Sequence, residues 1–248
     1  MELIDRKLLL FGQPINIPNF GTVYPPKLRD FLTFDYSRFK IAISIRKDIY
    51  LDNTSEGYDK IKDFDILVAS NITENLIQTL KLLYKTDDVK LEPPKKGDIN
   101  SIQISIKSND NIYYINRNNY TEFADYILIM LHEGNNIANV EVKKELTEIE
   151  LKMERKRREF EKKKRKREAE LNKEKEDKEQ LTLFDLANYL VHYDSKFTYE
   201  NVLDLTVYQL INSYQLYHQK ENYDLFIKYK TSGNFQIEDE IKHWFFNK

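Results

Sequence analysis

The stretch "EFEKKKRKRE" (159–168) lies in the middle of residues 141–180, most of which are charged. On either side, the sequence is rich in Tyr, Phe, Ile and Leu. This contrast predicts two folded regions with a charged connection between them, because a segment with so few apolar side chains cannot build a core of its own. We therefore predict a domain at 1–140, a charged helical linker at 141–180 and a smaller domain at 181–248.

The composition of the whole chain narrows the class of protein. Its 248 residues are 41% hydrophobic and 13% aromatic, which is enough to build a core, and the formal net charge is −2. There is no cysteine, which excludes disulfides, thiolate metal sites and cysteine nucleophiles. The N-terminus lacks the basic-then-apolar order of a secretory signal, and every apolar run is far shorter than the roughly 20 residues of a membrane helix. We expect a soluble, cytoplasmic protein without membrane contact.

Alternating apolar residues predict two β-hairpins in the N-terminal region. The first has its turn at "PNFG" (18–21), between short apolar runs, and the second has its turn at "SNDN" (108–111). The intervening "LEPPKKGD" (91–98) is expected to break the chain.

Helices are predicted in the same region from apolar residues at helical spacing. They cover 26–45 and 69–86, with Ser70 or Asn71 as the cap of the second, and a third helix begins at Thr121. Hairpins and helices together predict an α+β fold for residues 1–140.

The region after the charged connection is predicted to be a small all-α domain. Four segments have helical patterns: 181–193, 198–219, 221–233 and 237–248. Gly233 is expected to end the third of them.

The first part of the charged connection carries an apolar seam at steps of three and four residues, formed by Val142, Leu146, Ile149, Met153 and Phe160. The corresponding positions after Phe160 are Lys163 and Arg167, so the seam is not sustained. The pattern predicts an exposed single helix and leaves self-association through the seam as an alternative.

A basic run within this connection could also bind nucleic acid. Residues 155–167 hold ten basic and two acidic residues, and the candidate contacts are Arg155, Arg157, Arg158, Lys163, Lys164 and Arg165. The residues on either side of this run are acidic, however. Within the run, Phe160 is the one aromatic residue that could stack on bases. A helical spacer is therefore favoured over a nucleic-acid contact.

No pattern of catalytic, metal-binding or cofactor-binding residues is present. The four histidines, His132, His192, His218 and His243, form no i, i+3 or i, i+4 pair, and His132 is predicted to end a helix. Six scattered glycines build neither a phosphate-binding loop nor a nucleophile elbow. We predict a protein that is not an enzyme and holds no cofactor or metal.

Aromatic residues are concentrated in the C-terminal region, and two interpretations apply to them. One is that they form the core of a small helical domain. The other is that some of them bind a partner protein, because Tyr and Trp dominate the energetics of interfaces. The candidates for partner binding are Tyr208, Tyr214, Tyr217, Trp244 and Phe245.

The order of several segments resembles tail assembly chaperones of phages and prophages of Gram-positive bacteria. These segments are "FGQPINIPNFGTVYPPKLRDF" (11–31), "NIYYINRNNYTEFADYILIM" (111–130), "LTLFDLANYL" (181–190), "LDLTVYQLINSYQLYHQKENYD" (203–224) and "HWF" (243–245). The resemblance implies a non-catalytic protein that binds the tape measure protein, keeps it soluble and recruits tail tube subunits. It also implies a longer and a shorter form, related by frameshifting, and absence from the finished virion.

The resemblance points to individual positions as well, most of which are expected to hold the fold together: Pro25, Leu28, Asp30, Asn116, Phe123, Leu205, Tyr208, Gln209 and Trp244. Two other functions remain open at this point. The protein could be a permanent tail or baseplate component of the virion, or a nucleic-acid-associated protein that uses residues 155–167.

Overall fold

The structure, a computed structural model, describes residues 6–51, 57–94, 101–108, 111–132 and 181–232. The predicted helical linker with its seam and its six basic candidates lies outside these residues, as do Trp244 and Phe245.

The first predicted hairpin is confirmed. Strands β1 (Ile15–Ile17) and β2 (Gly21–Val23) pair in antiparallel fashion, and their apolar side chains enter the core. Asn19 and Gly21 adopt positive φ angles of 66° and 75° in and next to the turn. Gly21 is required for a second reason, because a Cβ at this position would overlap the ring of Tyr113.

The second predicted hairpin is also confirmed, and a third strand joins it. Strands β3 (Val89–Glu92), β4 (Gln103–Ser108) and β5 (Asn111–Asn116) form an antiparallel sheet in the order β3-β4-β5. The β3 strand was not predicted, because its residues run directly into the two prolines at 93 and 94. At β5, the Asn119 side chain donates to the carbonyl of Tyr114 (2.7 Å) and accepts from the N–H of Asn116 (2.8 Å).

Six helices surround these sheets in the N-terminal region as the structure describes it. They are α1 (Arg6–Leu10), α2 (Tyr36–Ser44), α3 (Lys47–Tyr50), α4 (Asp63–Ala69), α5 (Thr73–Tyr84) and α6 (Tyr120–Met130), with 3-10 turns at Leu28–Leu32 and Tyr58–Lys60. The α+β class predicted for this region is therefore confirmed.

Two predictions about these helices were wrong in detail. The continuous helix predicted for 26–45 is a 3-10 turn followed by α2, because the Asp35 carboxylate accepts the N–H of Ser37 (2.6 Å) and starts a new helix there. The predicted cap of α5 was also misplaced. Ser70 instead ends α4, Asn71 adopts a positive φ of 55°, and Ile72 precedes the first residue of α5.

The core lies where α2, α5 and α6 meet the inner face of the β3-β4-β5 sheet. Two buried tyrosines reach across this core with their hydroxyl groups. Tyr84 donates to the carbonyl of Phe20 and Tyr120 donates to the carbonyl of Ala42, each at 2.7 Å. Burial raises the pKa of both phenols, so they remain neutral donors.

A polar network ties α3, α4 and α6 together beside the core. Asp63 is buried, and it accepts from the N–H of Lys47 (2.7 Å) and the hydroxyl of Thr121 (2.8 Å). Arg46 pairs with Asp125 at 2.5 Å. Burial raises the pKa of Asp125, and the Arg46 guanidinium opposes that shift. Each charged group in this network has a hydrogen-bond or ion-pair partner, so the network holds α3, α4 and α6 together.

The C-terminal region is helical, as predicted. It contains α7 (Leu183–Tyr193), a 3-10 turn (Asn201–Asp204) and α8 (Val207–Thr231). The segments predicted separately at 198–219 and 221–233 overlap a single helix, α8, because Lys220 and Glu221 do not interrupt the helical pattern. Reciprocal capping boxes start both helices, formed by Thr182 with Asp185 and by Thr206 with Gln209.

The C-terminal region packs directly on the N-terminal region through backbone contacts. The N–H of Leu28 donates to the carbonyl of Leu205 (2.9 Å), and the N–H of Val207 donates to the carbonyl of Pro26 (3.0 Å). The Gln209 side chain also donates to the carbonyl of Leu10 at 2.9 Å. Buried side chains of both regions belong to one hydrophobic cluster. The two regions therefore share a core.

His132 lies at this junction, two residues beyond the end of α6, with a positive φ of 63°. Its ring is 4.9 Å from the ring of Tyr208, between ring centroids. The predicted helix-terminus position of His132 is thus confirmed, and its ring contributes to the packing of α8.

Candidate partner-binding surfaces

An open groove of about 960 Å³ lies where the two regions meet, and we call it the junction groove. Residues 31–37, Lys40, Ile41 and Ser44 line one side, and residues 181–184, Leu186 and Ile211 line the other. Large apolar side chains are exposed along it: Leu32 (60%), Ile41 (46%), Leu181 (64%) and Phe184 (42%). Exposed apolar residues that are contiguous in this way mark a binding surface more often than isolated ones do.

Helix caps place these side chains. The Asp35 cap separates Leu32 from α2, so that Leu32 and Ile41 belong to different elements on the same side of the groove. On the other side, Thr182 accepts the N–H of Asp185 (3.2 Å), which starts α7 immediately after Leu181. The hydroxyl and backbone N–H of Thr182 both donate to Asp185 and hold the pKa of that carboxyl below its usual range.

The groove is suited to bind apolar side chains of a partner. Its charged side chains are Asp35 and Lys40, which have opposite charge and lie beside the apolar residues. Within the described ranges, no group of three or more His, Cys, Asp or Glu residues could hold a metal ion. A surface of this kind can bind the apolar face of a helix and offers polar contacts at its edge.

The described chain leaves the N-terminal region next to α8 and resumes at the groove, which α8 helps to line. His132, the last described residue before the charged connection, contacts Tyr208. Ile211 lies one turn after Tyr208 on α8 and lines the groove together with Leu181, the first described residue after the connection.

A second surface is formed by four tyrosines of α7 and α8, which we call the tyrosine cluster. The ring of Tyr189 lies 5.4 Å from Tyr193 and 5.1 Å from Tyr214, and Tyr193 lies 4.8 Å from Tyr217, between ring centroids. All four side chains are half-buried. Such rings can present both an apolar edge and a polar group to a partner.

Carboxylates hold the hydroxyl groups of this cluster in place. Tyr189 donates to Glu221 (3.0 Å) and Tyr217 donates to Asp194. Burial, and next these hydrogen bonds to carboxylates, raise the pKa of Tyr189 and of Tyr217 to about 12. The Tyr217 hydroxyl in turn lowers the pKa of Asp194.

The predicted partner-binding residues have different positions in the structure. Tyr214 and Tyr217 both belong to the tyrosine cluster, where they are partly accessible. Tyr208 is 7% exposed and packs in the junction between the two regions, so its replacement would disturb the fold itself. Trp244 and Phe245 lie outside the described residues, and a partner role for all five residues stays a prediction.

Several positions suggested by the resemblance support the fold, as expected. Leu28 and Phe123 are fully buried. Asp30 accepts the N–H of Lys27 at the 3-10 turn (2.8 Å), and Gln209 accepts the N–H of Thr206 (2.9 Å) at the start of α8. The junction groove, by contrast, was not predicted from the sequence, because its two sides are far apart along the chain.

Comparison with known proteins gives one finding. Residues 172–247 match the family model described as the YomV second domain, which is phage-associated. The C-terminal region is similar to a phage-associated domain. The match includes α7, α8, the tyrosine cluster and one side of the junction groove. No curated protein and no solved structure matches the chain. In the part of the chain that the structure describes, no helix is long and apolar enough to cross a membrane.

Proposed function

We propose that this protein is a non-catalytic assembly chaperone of phage tails, which binds the tape measure protein, keeps it soluble and recruits tail tube subunits. The observation that carries the proposal is the junction groove with its four exposed apolar side chains. The phage-associated similarity of residues 172–247 and the resemblance of most of the chain to tail assembly chaperones support the same function.

The groove suits an amphipathic helix of a partner for energetic reasons. Complete burial of one large apolar side chain contributes roughly 1.5–3 kcal/mol, so contacts with several of these residues could offset the loss of freedom on binding. A long helical protein whose apolar faces are not yet packed is the kind of partner that such a groove would keep soluble. This function needs neither a reactive side chain nor a cofactor.

The tyrosine cluster supplies a second contact surface on the same helix. Phe184 at the groove and Tyr189 in the cluster both belong to α7. A chaperone that recruits tube subunits to a bound tape measure protein must contact two partners at once. In our proposal, the groove binds the tape measure protein, and the tyrosine cluster contacts the subunit.

Co-expression of the tape measure protein from the same tail module tests this function. We expect its soluble fraction to be high with the native chain and to fall severalfold with the variant Leu32→Asp/Phe184→Asp. Burying an unpaired carboxylate against the apolar face of a helix is unfavourable. Ile49→Asp is the matched control. Ile49 is 71% exposed on α3 and is not part of the groove lining, so this variant should preserve solubility.

Three outcomes contradict the proposal. The groove is not the binding site if its variant keeps the partner soluble as well as the native chain does. Presence of the protein in purified virions would make it a structural tail component. Binding that disappears on nuclease treatment would favour a nucleic-acid contact through residues 155–167.

A further inference from the structure

Part of the tyrosine cluster combines aromatic rings with a carboxylate that has no ion pair among the described residues. The rings of Tyr189 and Tyr214 meet edge to face, with their centroids 5.1 Å apart and their planes at 76°. The Glu221 carboxylate accepts the hydroxyl of Tyr189 (3.0 Å), and it lies two turns after Tyr214 on the same side of α8. All three side chains are half-buried, so a ligand can reach them.

We propose that these three residues, which we call the Glu221 site, bind an arginine side chain of a partner protein. The faces of aromatic rings carry partial negative charge and attract a cation. A guanidinium group is planar, so it can stack on a tyrosine ring while its N–H groups donate to a carboxylate. The inference deepens the proposed function and rests on it for the identity of the partner, the tail tube subunit.

Neighbouring rings fix the orientation of the Glu221 site. Tyr193 stacks on Tyr189, with the planes at 20° and the centroids 5.4 Å apart. His218 lies parallel to Tyr214, with the planes at 2° and the centroids 6.0 Å apart. The Tyr189 hydroxyl is held by Glu221 as well. Side chains that are already held in this way lose little conformational freedom when a ligand binds, which favours binding.

The second carboxylate of the tyrosine cluster, Asp194, has cations near it already. After the hydrogen bonds from Tyr217 and from the N–H of Lys196, the ammonium groups of Lys196 and Lys220 help to hold the pKa of Asp194 below its usual range. Glu221 is therefore the carboxylate of the cluster that is suited to an incoming cation.

The same carboxylates argue against nucleic acid as the ligand of these rings. A row of aromatic rings can stack on the bases of a single strand. Such binding also needs basic groups beside the rings to contact the phosphates, whereas Tyr189 and Tyr217 are bonded to Glu221 and Asp194. A cationic side chain is favoured over a polyanion.

A small probe tests the inference without any phage partner. N-acetyl-arginine amide is titrated into the full-length protein with isotope-labelled tyrosine rings, and the ring resonances are followed by NMR. We expect saturable shifts for Tyr189 and Tyr214 and severalfold weaker binding of N-acetyl-lysine amide, which lacks the planar group. N-acetyl-citrulline amide has nearly the same shape as the arginine probe without its charge, and it should not bind.

Matched variants separate the contributions of the carboxylate and of the ring. Glu221→Gln keeps an acceptor for the Tyr189 hydroxyl but removes the charge, so it should weaken binding of the arginine probe severalfold. Asp224→Asn removes a charge from an exposed residue three positions further along α8 and should change binding little. Tyr214→Leu should weaken binding severalfold, whereas Tyr214→Phe retains the ring and should bind as the native protein does.

Several outcomes would overturn the proposal. Equal weakening by Glu221→Gln and Asp224→Asn would show a general attraction to negative charge. Absence of shifts at Tyr189 and Tyr214, equal binding of the lysine or citrulline probe, or shifts of these rings caused by a thymidine oligonucleotide would each contradict an arginine site. None of these results depends on the solubility of the tape measure protein, so failure of this inference is distinguishable from failure of the proposed function.

Discussion

Gly21 connects two parts of the N-terminal region that are distant in sequence. It begins β2 with a φ of +75°, and its Cα lies so close to Tyr113 of β5 that no side chain fits between them. Tyr113 in turn lies 6.1 Å from Tyr84, between ring centroids, and Tyr84 bonds the carbonyl of Phe20. The absence of one methyl group thus allows the first hairpin to pack on the second sheet.

Gly21→Ala should lower the free energy of unfolding by about 2–4 kcal/mol, because it adds a steric overlap to the cost of a left-handed backbone. Gly57→Ala is the matched control, since Gly57 has a φ of +82° but a Cβ there would enter open space. The control should cost only about 1–2 kcal/mol. Urea unfolding of the two variants measures both values, and equal losses would show that the contact with Tyr113 does not matter.

At the level of helices and strands, the sequence pattern predicted those elements that depend only on residues close together in the chain. The hairpins at 15–23 and 103–116 follow from alternating apolar residues on both sides of polar turns, and both are present. Strand β3 was missed because its pairing with β4 depends on a partner beyond the two prolines. The cap of α5 was misplaced because Ser70 and Asn71 are typical cap residues, yet they are used to end α4.

Burial of the tyrosines between α7 and α8, and next their hydrogen bonds to carboxylates, raise the pKa of Tyr189 and Tyr217 and so make the stability of the protein fall at alkaline pH. Tyr217 has a pKa of about 12 in the folded protein, against 10.0 for an ordinary tyrosine. The folded state therefore retains the phenol proton where the unfolded chain loses it. This contribution is fully present below pH 10.0 and is lost as the pH rises towards 12.

Tyr217→Phe should weaken the fall in stability over that pH interval, because it removes one of the two phenols with a raised pKa in the cluster. Thermal unfolding at several pH values between 10.0 and 12 measures the slope. Tyr189 retains its own bond to Glu221, so part of the slope should remain. An identical slope in the native protein and the variant would contradict the assignment.

The candidate site, the junction groove, is formed by residues of both regions of the molecule. Leu32 and Phe184 face the same groove only because the C-terminal region packs on the N-terminal one through Leu28, Leu205 and Val207. No local pattern in the sequence reveals that packing. The aromatic residues of the C-terminal region did indicate a contact surface, and Tyr214 and Tyr217 lie together in the tyrosine cluster.

Because the two regions share a core, they should associate without a covalent connection. Residues 1–158 and 159–248 expressed together as two chains are expected to elute as one complex in gel filtration and to separate only on denaturation. Arg29→Glu, which turns the ion pair with Asp204 (2.7 Å) into a repulsion, should weaken the complex modestly. Separate elution of the two native chains would show that the junction contacts do not hold the regions together.

His132 contacts Tyr208 of α8, and Leu181 lines the junction groove with Ile211 of the same helix, which has a consequence for how the protein can change over time. Since the two regions that this stretch connects pack on each other directly, insertions or deletions between His132 and Leu181 need not move the folded parts. By loop-closure entropy, doubling the number of intervening residues costs only about 0.6 kcal/mol. The charged stretch is therefore free to vary in length and sequence while the junction groove keeps its shape.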